Sequence, residues 1–262
     1  MVEHSGLAGR SAAAVLCLLL LAGCGSPEAT DDGASPAGAS ASPVVADGTG
    51  SSASPGAAET REPLRKASAK GWKVYTDPDR VLSFEVPGDW VVQRQVKPSE
   101  PADGGVHLDV RDSDGKLAAE LHTRLKLPKD KCTPGEVREY AVVFSEPADV
   151  PAVPGGDRIE PVFAFRTILG YKYFGSFGLT DKEAGIGNQA CTIENTVTGP
   201  KPVGTYSFSN AARHGTPPAD GDFGALETFD LIAQAEKFTD SKRFKTVKQV
   251  ITSLQISAAG NG

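Results

Sequence analysis

Between Trp72 and Ser209 apolar and polar residues take turns at a period of two, and Pro, Gly and Asp interrupt the alternation at short intervals. Successive side chains of a strand point to opposite faces, so this pattern restricts the stretch to strands with one buried face. Leu82, Phe84 and Val86 alternate with Ser83 and Glu85. Val106, Leu108 and Val110 alternate with His107, Asp109 and Arg111, and Leu117, Ala119, Leu121 and Thr123 return on the same face. Turns at Asp77-Pro78-Asp79, Pro87-Gly88-Asp89 and Asp114-Gly115 make these neighbours hairpins. Further strands are expected over residues 138–145, 159–169, 171–180, 189–197, 203–209 and 225–229, with a polar loop over 210–222. Thr133-Pro134-Gly135-Glu136 has the letters of a helix cap, with Pro first and Glu third. The β-branched run that follows, stopped by Pro147, favours a strand instead.

The end of the chain changes period. Residues 230–238 read as a short helix, and Asp240 or Ser241 caps a second. In the second, Phe244, Val247, Ile251 and Leu254 fall on one stripe, which must pack on another element. The fold class is therefore α+β: a mostly antiparallel β-sheet domain over residues 71–258 with two C-terminal helices packed on it, and a flexible tail over 259–262.

The other end is neither strand nor amphipathic helix. Arg10 precedes an uncharged apolar run from Ala12 to Leu21, which is about half the roughly 20 residues a spanning helix needs. Leu21-Ala22-Gly23-Cys24 directly after it resembles the lipobox of bacterial lipoproteins. The resemblance implies a signal peptide over 1–23, cleavage before Cys24 and lipidation of Cys24. Two or more acyl chains anchor a protein stably where one does not. Residues 24–70 then form the lipidated Cys and a disordered Ala/Ser/Gly/Pro linker, whose composition buries too little apolar surface to fold. Trp72-Lys-Val-Tyr75, Val81 to Pro87 and Trp90, with the closing segment Phe238 to Leu254, resemble PsbP-like domains. Many surface lipoproteins of high-GC Gram-positive bacteria look like this. The resemblance implies a sheet flanked by helices of the kind found in small binding and assembly proteins.

The net charge of -6 argues against nucleic acid as a partner, since Glu3 and Arg10 cancel in the leader. Of the four cysteines, Cys17 leaves with the leader and Cys24 carries lipid. Cys132 and Cys191 remain, and outside a reducing cytosol they are expected to pair. Such a bridge closes a loop of about 60 residues, worth about 4 kcal/mol by chain entropy.

Motifs that could carry chemistry fail on context. Gly185 to Ala190 has the spacing of a dinucleotide loop but follows polar residues instead of a strand. Phe174-Gly-Ser-Phe-Gly178 lacks the first glycine of a nucleophile elbow and sits within a strand pattern. Asp112-Ser-Asp114-Gly115 lacks most of a calcium loop. The aromatics Tyr171, Tyr173, Phe174 and Phe177, at strand spacing, read as core.

The histidines depend on register. If Asp114-Gly115 is the whole turn, paired residue numbers sum to 229 and His107 faces His122, close enough to share a metal. A four-residue turn makes the sum 227 and pairs His107 with Glu120. The hydrophobic pattern serves both, so no metal site, cofactor or catalytic residue is assigned. The expectation is a lipid-anchored protein on the extracytoplasmic face of the cell membrane. Its domain is a non-catalytic binding module for an envelope protein or small-molecule ligand. An envelope hydrolase assembled from distant residues, or an assembly factor, are the alternatives. Cys24→Ser is expected to leave an uncut precursor or release the protein to the medium. Mass spectrometry and detergent partitioning check this, and an unchanged lipidated mass in the variant contradicts it.

Overall fold

The computed structural model describes residues 65–79, 81–95, 105–128, 132–183, 185, 187–217 and 224–257. The leader, Cys24, the linker up to residue 64 and the tail from 259 lie outside the described residues. The elements run β1 (Trp72–Thr76), β2 (Leu82–Pro87), β3 (Val91–Arg94), β4 (His107–Arg111), β5 (Leu117–His122), a 3-10 turn (Pro134–Glu136) and β6 (Arg138–Pro147). They continue with β7 (Val162–Leu169), β8 (Tyr173–Thr180), β9 (Gln189–Ala190), β10 (Ile193–Glu194), β11 (Val197–Thr198), β12 (Thr205–Ser209), β13 (Arg213–His214) and β14 (Glu227–Phe229). The chain closes with α1 (Ile232–Phe238), α2 (Lys242–Thr252) and β15 (Gln255–Ile256).

A large antiparallel sheet has the order β3-β4-β5-β12-β8-β7-β6-β9, with β11 beside β12 and β14 beside β8. A smaller sheet has the order β1-β2-β15, and β10 pairs with β13. The α+β class holds: mostly antiparallel sheet, with two helices at the end. At Gly178 the strands β8 and β12 approach so closely that a Cβ would strike the Ser209 side chain, so glycine is required there.

Alternation assigns the two faces of the large sheet. Leu108, Val110, Leu121, Phe163, Phe165, Phe177, Leu179 and Phe208 turn to one side, where they share a core with Leu82, Phe84 and Val86 of β2 and with α2. Phe244 of α2 is the hub, its ring 5.5–5.8 Å from those of Phe144, Phe163, Phe165, Phe177 and Phe238. The Ser241 side chain caps the helix by accepting from the Phe244 N–H at 3.1 Å, which decides between the two expected caps. Thr133 to Glu136 forms both of its readings: the Glu136 carboxylate accepts from Thr133 N and Oγ1, and the strand follows directly.

Three expectations need correction. The single strand over 189–197 is three short pieces, because the chain here changes partner from β6 to β13 to β12. The polar loop contains β13, held by β10. The domain also starts before residue 71. Glu85 is 1% exposed on β2, and an ion so buried needs partners. It accepts from Arg65 Nη1 at 2.9 Å, Ser68 N at 3.1 Å and Ser68 Oγ at 2.6 Å. Arg65 Nη2 also reaches the Ser253 carbonyl beyond α2 at 2.5 Å. Linker composition does not reveal a carboxylate waiting on the strand that follows.

Truncating Phe244 to Ala removes the ring on which α1 and the three strands β6, β7 and β8 converge. Phe244→Ala is expected to cost about 3–5 kcal/mol of stability, read as a lower midpoint in urea unfolding.

Candidate metal centre

Directly paired residues share a face, so the far side of the large sheet can be read from its register. Arg166 pairs with Ser176, Gly178 with Ser209, Ser209 with Glu120, Glu120 with Asp109, and His122 with both Ser207 and His107. This face is polar, and much of it is buried.

The β4–β5 hairpin makes the pairing in an unexpected way. Its turn is neither of the two expected ones. Asp112 N donates to the Lys116 carbonyl at 2.9 Å and Gly115 N to the Asp112 carbonyl at 2.9 Å, leaving a three-residue loop. Gly115 has φ +77°, the left-handed position such loops give to glycine. The Asp112 carboxylate steadies the loop by accepting from Asp114 N and Lys116 N. Arg111 then faces Leu117, and a bulge follows, so that Val110 faces Ala119. The bulge absorbs one residue and restores the sum of 229. His107 therefore faces His122, and Asp109 faces Glu120.

The two imidazoles stack with centroids 3.8 Å apart and planes 30° apart. Glu120 Oε1 lies 3.3 Å from His107 Nε2 and 3.8 Å from His122 Nε2. Ligand atoms of all three lie within 4.8 Å of one another. Tetrahedral ligands at the zinc distances of about 2.0–2.1 Å stand roughly 3.3 Å apart, so small side-chain rotations close the set. His107 is 3% exposed, whereas the Glu120 and His122 side chains reach the surface. Hydrogen bonding from His122, against the opposing effect of burial, holds the Glu120 carboxyl below its ordinary range and so keeps it an anion. Asp109 Oδ1 is 3.4 Å from His107 Nε2, while its Oδ2 accepts from Gln95 Nε2 and Arg111 Nη2, both at 2.8 Å. Two imidazoles and a carboxylate suit zinc or copper.

A second histidine site was invisible in the sequence. Ser176 Oγ and His214 Nε2 are 2.9 Å apart although 38 residues separate them. The distance is that of a nucleophile and its base, but the surroundings are not. Ser176 is fully buried and also accepts from Asn195 Nδ2 at 2.9 Å. Asn195 in turn receives Arg166 Nη2 at 2.8 Å. The His214 Nδ1–H donates to the Gly215 carbonyl at 3.1 Å. The imidazole is thus a neutral link in a buried chain, and burial first, then the Arg166 charge, lowers its pKa to about 4.

Cys132 and Cys191 are joined, with Cα atoms 5.6 Å apart. The four expected core aromatics divide. Phe177 belongs to the main core, Phe174 packs with Ile168, Tyr140 and Ile193 on the other face, Tyr173 is half-buried, and Tyr171 is exposed while touching Phe174.

The chain matches no protein-family profile, and no curated protein matches it. Among solved structures it is similar to the solution structure of cyanobacterial PsbP (CyanoP) from Synechocystis sp. PCC 6803. The alignment covers 75% of this chain and 100% of that one, at 14% identity and a TM-score of 0.30. At that score the likeness carries no argument about fold or function.

His214 makes the fold acid-sensitive. Its pKa falls from 6.5 to about 4 on folding, so between these values the unfolded chain binds the proton more tightly and stability rises with pH. The contribution is intact above pH 6.5 and is lost progressively down to pH 4, up to about 3 kcal/mol in all. Urea unfolding across this range is expected to show a shallower pH dependence in His214→Gln than in the wild type.

Proposed function

We propose that this chain is an extracytoplasmic lipoprotein, held at the cell membrane through lipid on Cys24, whose domain is a non-catalytic module that binds a divalent zinc or copper ion. The reading rests on one observation: His107 and His122 stand opposite each other with the Glu120 carboxylate 3.3 and 3.8 Å from their Nε2 atoms. Three protein ligands leave a coordination position open, to water or to a donor from an envelope partner. Asp109, beside His107, is placed to orient that ring or to add an oxygen. The short apolar leader and Leu21-Ala22-Gly23-Cys24 support the anchor, and the segments that resemble PsbP-like domains support a binding or assembly role. Burial of Ser176 beside His214 favours binding over hydrolysis.

Calorimetric titration of the chelator-treated protein with zinc and with copper tests the site. One equivalent is expected to bind saturably at micromolar protein. His122→Ala is expected to abolish binding, and Asp109→Asn to weaken it about 10-fold, as loss of a supporting carboxylate does. Absence of binding heat in the wild type overturns the proposal.

A further inference from the structure

Arg166 is a buried cation short of acceptors. It stands on β7 opposite Ser176, 2% exposed. Its Nη2 donates to the Glu194 carbonyl at 2.5 Å and to Asn195 Oδ1 at 2.8 Å, and Nη1 reaches the Lys182 carbonyl only at 3.5 Å. Nε is buried with no hydrogen-bond partner among the described residues. All three of these acceptors are neutral; the Tyr140 side chain and the Glu194 charge also act on the guanidinium, but among the described residues Arg166 forms no ion pair. An ion taken out of water is costly unless a counter-charge meets it. Burial accordingly disfavours the charged form of this guanidinium.

Arg166 also lines a cleft of about 700 Å³, within the range of small-molecule sites. Leu127, Pro128, Val137 and Ala190 give the cleft apolar walls, and the Cys132–Cys191 bridge forms another part of its lining. Lys182, Glu183 and Glu194 line it too. Glu194 is already neutralised, by Lys182 at 2.7 Å and Arg213 at 3.1 Å. Arg213 stands outside the lining, so the lining itself carries two cations and two carboxylates, and Arg166 is the cation among them that no carboxylate meets in an ion pair. Glu183 disfavours a second negative charge on any occupant.

We infer that this cleft binds a small organic acid with one carboxylate, which docks on the Arg166 guanidinium while the apolar body lies against Leu127, Pro128, Val137 and Ala190. The site is separate from the histidine pair and independent of it. Dianions such as phosphate are selected against by Glu183 and by the apolar walls.

Titration of the full chain carrying Cys24→Ser with butyrate, octanoate and benzoate tests the inference. The matching alcohols and inorganic phosphate are the controls. At least one of the three acids is expected to bind saturably, and its alcohol about tenfold more weakly or worse, the size of one charge-assisted hydrogen bond. Arg166→Met is expected to weaken the acid by a similar factor. Ala190→Leu, which fills the cleft and keeps the guanidinium, should do the same, and it decides the matter if circular dichroism shows that Arg166→Met does not fold. Three results overturn the inference: no saturable binding by any of the acids, equal binding of acid and alcohol, or undiminished binding in Ala190→Leu.

Discussion

The large sheet has one face that must be kept from water, and α2 is what keeps it so. Phe244, Val247, Val250 and Ile251 are all buried, and the core they enter also takes the inward residues of β2. Fixing a helix of 11 residues costs about 1–2 kcal/mol of backbone entropy per residue. The buried stripe offsets that cost, not helix propensity. Once one face is committed to rings, period two commits every alternate residue to the other. Arg166, Ser176, Glu120, His122 and His107 are gathered on a single surface by this arithmetic, although they come from four strands, β4, β5, β7 and β8, and from distant stretches of the sequence.

Much of this was legible. The alternation located β1 to β5 and β6 to β8, and the apolar stripe located α2, because each pattern repeats over several residues and points to one geometry. The stretch from Gln189 to Thr198 was not legible as three pieces. Its residues look like those of one strand, and its breaks come from partners brought in from β6, β12 and β13. The contacts of Arg65 and Ser68 with Glu85 were hidden for a related reason, since a lone acidic residue on a strand reads as solvent-facing.

The candidate site was half legible. The two possible registers named His107 with either His122 or Glu120, and the structure brings all three together. The turn thought to decide between them is not the one that forms. A three-residue loop alone would shift the ladder, and the bulge before Val110 and Ala119 shifts it back. A bulge leaves no trace in a hydrophobic pattern when the extra residue is itself small and apolar, as Ala118 is, since it can be buried as readily as its neighbour. Ser176 and His214 could not have been joined at all by reading along the chain, because they meet only through the fold of the segment that crosses the polar face.

The clamp of Arg65 has a mechanical side. Were the chain held at Cys24 as proposed, load would enter the described domain at its first residues. These are not a free strand end. Arg65 grips Glu85 in the middle of β2 and the Ser253 carbonyl at the end of α2 together. A pull arriving at Arg65 would be shared between the small sheet and the helix that seals the core. Under such a load the Arg65 contacts would have to give way before β1, the next element in sequence, could be peeled from its edge position.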